Sequence, residues 1–186
     1  MAALTTVRDL MSAEEPVPAT MTVDRYLSTM FHPDCDFVDG RIEERNVGEF
    51  EHSMVQKMLM RLFGDREREW GVLVAPECRL QVSATRCRVP DVLVMRHGKY
   101  SGVIQEAPLI CMEVLSPEDT WVRMRERLDD YLTMGVQHIW CFEPMAREVR
   151  RYNAEGFTKV MEPELTVAGT AIRIRVAEVF SALDQD

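Results

Sequence analysis

The chain has 186 residues, of which 46% are hydrophobic and 28% charged. That length and balance suit one folded domain and exclude two full cores or a disordered chain. A formal net charge of −9 argues against strong non-specific binding of nucleic acid, so any such role must rest on local arginine clusters.

Residues 1–20, with Pro16 and Pro18 among small and acidic side chains, read as a flexible arm ahead of one domain over residues 21–186. They lack the basic-then-apolar order of a secretory leader. A short helix is expected over residues 22–31, with Tyr26, Leu27 and Met30 on one side. Asp39-Gly40 is a tight-turn signal between two short strands. The clearest helix follows, over residues 49–70, because Met54, Val55, Met58, Leu59 and Leu62 recur on one helical face. Gly64 or Gly71 is its expected stop.

Three strands come next: residues 72–82, broken by Pro76; residues 87–96, with Pro90 near the start; and residues 109–115. The third is almost wholly apolar, as expected of a strand covered on both faces. Ser116-Pro117-Glu118-Asp119 leads into a helix over residues 120–134, with Met124, Leu128, Tyr131 and Leu132 inward and Gly135 as its cap. Residues 138–142 form another buried strand, and residues 147–152, 157–161 and 171–176 supply terminal hairpins. The order implies an α/β (mixed α+β) domain with a mixed central β-sheet flanked by helices.

No apolar run approaches the ~20 residues that span a bilayer. Cys35, Cys78, Cys87, Cys111 and Cys141 are odd in number and widely spaced, which points to a reducing cytoplasmic setting and gives no zinc signature. His32, His97 and His138 are scattered. No Gly-rich phosphate loop, Gly-x-Ser-x-Gly elbow or His-Glu-x-x-His helix is present, which argues against P-loop enzymes, kinases, serine hydrolases of that type and zincins.

Glu113 lies in Leu109-Ile110-Cys111-Met112-Glu113-Val114-Leu115, among apolar neighbours only. A carboxylate there must be paired, protonated, bound to metal, or placed at a strand end that reaches solvent. Asp91, between Val89-Pro90 and Val92-Leu93, is either a turn aspartate or a site residue at a strand end. Two carboxylates on consecutive strands repel unless a cation neutralises them. Glu77 is either an exposed glutamate or a third oxygen ligand. Glu51 and His52 open the long helix, where Glu51 either complements the helix dipole or projects toward the sheet. Arg127 precedes Tyr131 by one turn and either joins surface pairs or binds phosphate near the Glu113 strand. Arg147, Arg150 and Arg151, with Arg173 and Arg175, form either a basic patch or a solvated strand face.

Val89-Pro90-Asp91-Val92, then Met112-Glu113-Val114-Leu115-Ser116-Pro117, then Tyr131-Leu132-Thr133-Met134-Gly135-Val136 resemble the Uma-two family of restriction endonucleases, within the PD-(D/E)xK nuclease superfamily. Phe37-Val38-Asp39-Gly40, Glu51-His52 and Ile139-Trp140-Cys141-Phe142-Glu143-Pro144 extend the match. The resemblance implies a restriction-endonuclease-like fold and a magnesium-dependent (or manganese-dependent) endonuclease that hydrolyses phosphodiester bonds of DNA, commonly as a homodimer. It places Asp91 and Glu113 as the metal-holding acids, with Glu77, Glu51 and His52 as possible support. The superfamily lysine would fall at Leu115; in this family it often moves to the following helix, where Arg127 stands instead. Arginine keeps the charge but is a poor general base. The alternatives are therefore a weakened nuclease fold that serves as an interaction module, or a dimeric scaffold assembled through the terminal strands.

Overall fold

The computed structural model describes residues 21–46 and 48–184. The expected arm over residues 1–20 lies outside them. The chain opens with α1 (Val23–Ser28), capped by the Thr22 hydroxyl, and the hairpin β1 (Asp36–Val38) and β2 (Arg41–Glu43). After α2 (Phe50–Gly64) and α3 (Glu67–Trp70) come β3 (Val72–Pro76), β4 (Leu80–Ser83), β5 (Arg86–Arg88), β6 (Val92–Arg96) and β7 (Ile110–Val114). Helix α4 (Trp121–Met134) leads to β8 (His138–Glu143), β9 (Glu148–Asn153) and β10 (Gly156–Lys159). The chain closes with β11 (Glu164–Thr166), β12 (Arg173–Arg175) and α5 (Val176–Phe180).

A six-stranded mixed sheet runs β10-β9-β8-β7-β6-β3. Its one parallel pair is β7–β8, joined through α4, because parallel neighbours need a crossover. A four-stranded sheet, β2-β1-β5-β4, and the ribbon β11-β12 complete the fold. Alternation along the central strands feeds two cores. Val92, Val94, Ile110 and Met112 pack with Val55, Leu59 and Phe63 of α2. Leu93, Met95 and Cys111 pack with Met124, Leu128 and Tyr131 of α4.

Helix α4 forms as its pattern predicts. The Thr120 hydroxyl accepts from the Arg123 N–H at 3.4 Å, and Gly135 ends the helix at φ 101°. The long helix takes the first of its two expected stops, Gly64, and residues 67–70 form a single separate turn, α3, instead of continuing it. Trp70 is turned inward to meet Phe63 edge-on at 5.4 Å between ring centres, and Glu67 accepts the Val74 N–H at 2.7 Å. Burying that indole and tying the turn to β3 outweigh unbroken helix.

Residues 72–82 break at Pro76, as expected, into two strands. After Pro76, Glu77 adopts φ 48°, and the chain leaves the six-stranded sheet for β4 in the other sheet. Residues 87–96 divide around Pro90 in the same way, giving β5 and β6 to different sheets. Neither β11 nor α5 was expected. The arginines of the terminal strands do not make one stripe: Arg150 and Arg151 are consecutive and leave opposite faces of β9, while Arg173 and Arg175 both approach Glu164 on the ribbon.

Candidate active site

Val92 of β6 stands opposite Met112 of β7 in antiparallel register. Asp91 immediately precedes β6 and Glu113 follows Met112 on β7, close enough for the Asp91 charge to act on Glu113. Asp91 is 3% exposed and Glu113 is wholly buried. The Val114 N–H donates to Asp91 Oδ2 at 2.7 Å, which ties the aspartate to the strand that carries the glutamate.

Each carboxylate is held by cationic or hydroxyl groups. His52, in the first turn of α2, places Nε2 3.2 Å from Asp91 Oδ2, and Arg45, just past β2, pairs with Oδ1. On the other side, the Tyr131 hydroxyl donates to Glu113 Oε1 at 2.6 Å, and Arg127 Nη1 donates to Oε2 at 3.1 Å. Tyr131 and Arg127 lie one turn apart on α4, so one helical face supplies both contacts. Arg127 Nε also donates to Asp36 at 3.1 Å, and Asp36 accepts from Arg88, which reaches Asp130 at 2.7 Å. Charges of alternating sign thus run from the acidic pair to the four-stranded sheet.

The electrostatics separate the two acids. Burial raises the Asp91 pKa, but His52, Arg45 and the Val114 N–H outweigh it and hold the carboxyl below its ordinary value. For Glu113, burial prevails over Arg127, and the nearby Asp91 adds to it; its pKa is raised to about 7. Burial alone lowers the His52 pKa, yet the Asp91 hydrogen bond and charge bring it above the usual histidine value.

The expected site residues divide by position. Asp91, Glu113, Arg127 and His52 come together. Glu77 stands beside them but is exposed; Gln56 donates to its Oε1 at 3.4 Å and to the Asp91 carbonyl at 2.9 Å. Glu51 is half-buried in the first turn of α2 and takes no part in the contacts around Asp91. Sequence reasoning missed Arg45, Asp36 and Arg88 and named Tyr131 only as an inward residue. Arg88, between Cys87 and Val89, carried the same signal as Glu113, a charge among apolar neighbours. Arg45 carried none, because a loop arginine is ordinary.

A cleft of about 20 Å³ opens beside Asp91, bounded by Arg45, His52, Ser116, Asp119 and Arg127. That space suits a water or a small ion and not a nucleotide, which must lie outside it. Among the described residues, no three His, Cys, Asp or Glu side chains are grouped to hold a metal. Two adjacent carboxylates do fit magnesium, which keeps several waters and takes one or two protein carboxylates plus substrate phosphates. They do not fit a structural zinc site. Arg45 bears on Asp91 Oδ1 and Arg127 on Glu113 Oε2, so a cation held by both acids would compete with both arginines.

A family model for Uma2, described as "Putative restriction endonuclease", matches residues 29–175. A crystal structure described as a "putative nuclease" from Anabaena variabilis is similar in fold, with a TM-score of 0.75 at 20% identity. The similarity covers 88% of this chain and 99% of that one. No curated protein matches the sequence.

Proposed function

Because the chain belongs to the Uma2 family, we propose that it is an endonuclease hydrolysing phosphodiester bonds of DNA, with Asp91 and Glu113 holding a divalent cation. The carrying observation is this buried acidic pair, Asp91 just ahead of β6 and tied to the Val114 N–H of β7, the strand that carries Glu113, with cations on either side. Magnesium is the favoured ion and manganese its substitute; when bound, it supplies Lewis-acid polarisation of a phosphoryl oxygen and a lowered pKa for an attacking water.

The chain's own groups divide the remaining work. Arg127 stays protonated, lines the cleft and offers its charge to the scissile phosphate. It cannot serve as the base. Tyr131 fixes one oxygen of Glu113 and so the direction of the other. His52 keeps a proton at Nε2 against Asp91. Glu77, the exposed carboxylate beside Asp91, is placed to orient a water, with Glu51 farther out. The five free cysteines accord with a cytoplasmic setting, and no helix among the described residues is long and apolar enough to cross a membrane. A homodimer is the assembly we expect.

A second reading, a weakened nuclease fold retained for binding, is favoured by Arg45 and Arg127 together, since they already neutralise the acids. The test is nicking of supercoiled DNA with magnesium or manganese by wild type, Asp91→Ala and Glu113→Ala. Nicking by wild type that both substitutions abolish is the expected result. No cleavage, together with no cation-dependent rise in melting temperature, would reject the enzyme and favour the second reading.

A further inference from the structure

Trp121 opens α4 with 42% of its surface exposed, whereas Trp70 and Trp140 are buried. Its ring meets Phe157 of β10 edge-on at 5.0 Å between centres, and the Arg150 guanidinium carbon lies 5.0 Å from its ring centre. With Val122 and Arg125 these residues line an open groove of about 580 Å³, roomy enough for a nucleobase and its sugar. Two arginines and no carboxylate line it. Arg125 joins no ion pair among the described residues; Arg150 pairs through Nη2 with Glu143 at 3.6 Å and Glu148 at 3.3 Å, while its buried Nε has no hydrogen-bond partner.

The strand register relates this groove to the acidic pair. Glu113 of β7 is in register with Cys141 of β8, and Cys141 with Arg150 of β9. Residues in register leave the same face of a sheet, so Glu113 and Arg150 stand in one row two strands apart, about 10 Å at ~4.8 Å per strand. Helix α4 spans the same interval, with Trp121 at the groove and Arg127 and Tyr131 on Glu113.

We propose that this groove stacks a nucleobase of single-stranded nucleic acid whose backbone continues to the Asp91–Glu113 site, which rests on the nuclease reading above. An indole beside a guanidinium offers the π faces that any base accepts, and such stacking is tolerant of sequence. Arg125 and Arg150 meet the negative charge of the backbone. A duplex keeps its bases stacked on one another and has none to give to Trp121. The groove therefore selects single strands, flaps and frayed ends.

The exposed indole is its own reporter. An oligothymidylate of about ten nucleotides is titrated into the full chain in EDTA, which prevents cleavage, while tryptophan emission and fluorescence anisotropy are followed. The expected results are a change in Trp121 emission and loss of its quenching by iodide. Trp121→Ala should weaken binding about tenfold, Trp121→Phe should restore most of it, and a blunt duplex should compete poorly. Equal affinity of wild type and Trp121→Ala, or equal binding of the duplex, overturns the proposal. So does self-association in sedimentation that Trp121→Ala abolishes while the oligonucleotide leaves emission unchanged; the groove would then belong to a second copy. Binding that depends on Trp121, in a protein that nicks no DNA with magnesium or manganese, keeps the groove and removes the hydrolytic reading. Nicking with binding indifferent to Trp121 does the reverse.

Discussion

Glu113 is fully buried, and its two oxygens accept from Tyr131 and Arg127, yet its pKa still stands near 7 against an ordinary 4.5. Desolvation outweighs the pairing, so ionising this group costs stability in the metal-free protein. A raised folded pKa contributes stability that is complete below the unfolded value and lost as pH climbs through the folded one. In EDTA, the melting temperature of wild type should therefore fall relative to Glu113→Gln between about pH 5 and about pH 7.5. Parallel curves for the two proteins would contradict this. Asp91, shifted downward, contributes at higher pH and loses its share only below its ordinary 3.8, outside that window. At Arg127 the substitution to lysine should raise any nicking rate, because a buried lysine can give up its proton and arginine cannot. It should also lower stability by about 1–2 kcal/mol, since one ammonium replaces a fork that bridges Asp36 and Glu113. A single-turnover rate at or below wild type would reject the catalytic part.

At the scale of elements, the segment between β2 and α2 decides how available Asp91 is. It delivers Arg45, and the first turn of α2 delivers His52, to one carboxylate. Removing the charge with Arg45→Met should tighten manganese binding about tenfold, because a competing cation leaves a low-dielectric site. The readout is a manganese-induced rise in melting temperature about 3–6 °C larger than in wild type. An identical rise would show that Arg45 does not contend for the site. Elements with strong periodic faces were legible in sequence, above all α4, whose Met124, Leu128 and Tyr131 are buried as expected. Breaks were legible where Gly64 and Pro76 mark them, but the separate turn α3 was not, because it is set by the fit of Trp70 against Phe63 and the tie of Glu67 to Val74.

Across the whole molecule, the buried charges cancel, because Asp36, Asp91 and Glu113 are partners of Arg88, Arg45 and Arg127, so the net charge of −9 lies outside that network. At the groove the outward cations are three: Arg125, which joins no ion pair among the described residues, and Arg150 with its register neighbour Lys159, which both pair with Glu148. At ~0.7 ions released per single-strand phosphate, three such contacts give a slope near −2 in log affinity against log salt. Oligonucleotide titrations over a range of salt in EDTA measure it. A slope several times steeper would mean that a larger basic surface engages the strand.

The sequence by itself determined the mixed α/β class and the course of α4 and marked Asp91 and Glu113 as candidates, because periodicity and the cost of burying charge act locally. Tertiary structure alone decided which strands share a sheet, and that Arg45, Asp36 and Arg88 join the acidic pair. Those partners come from segments far apart in the chain, and no local pattern encodes a charge that is balanced only when distant strands meet.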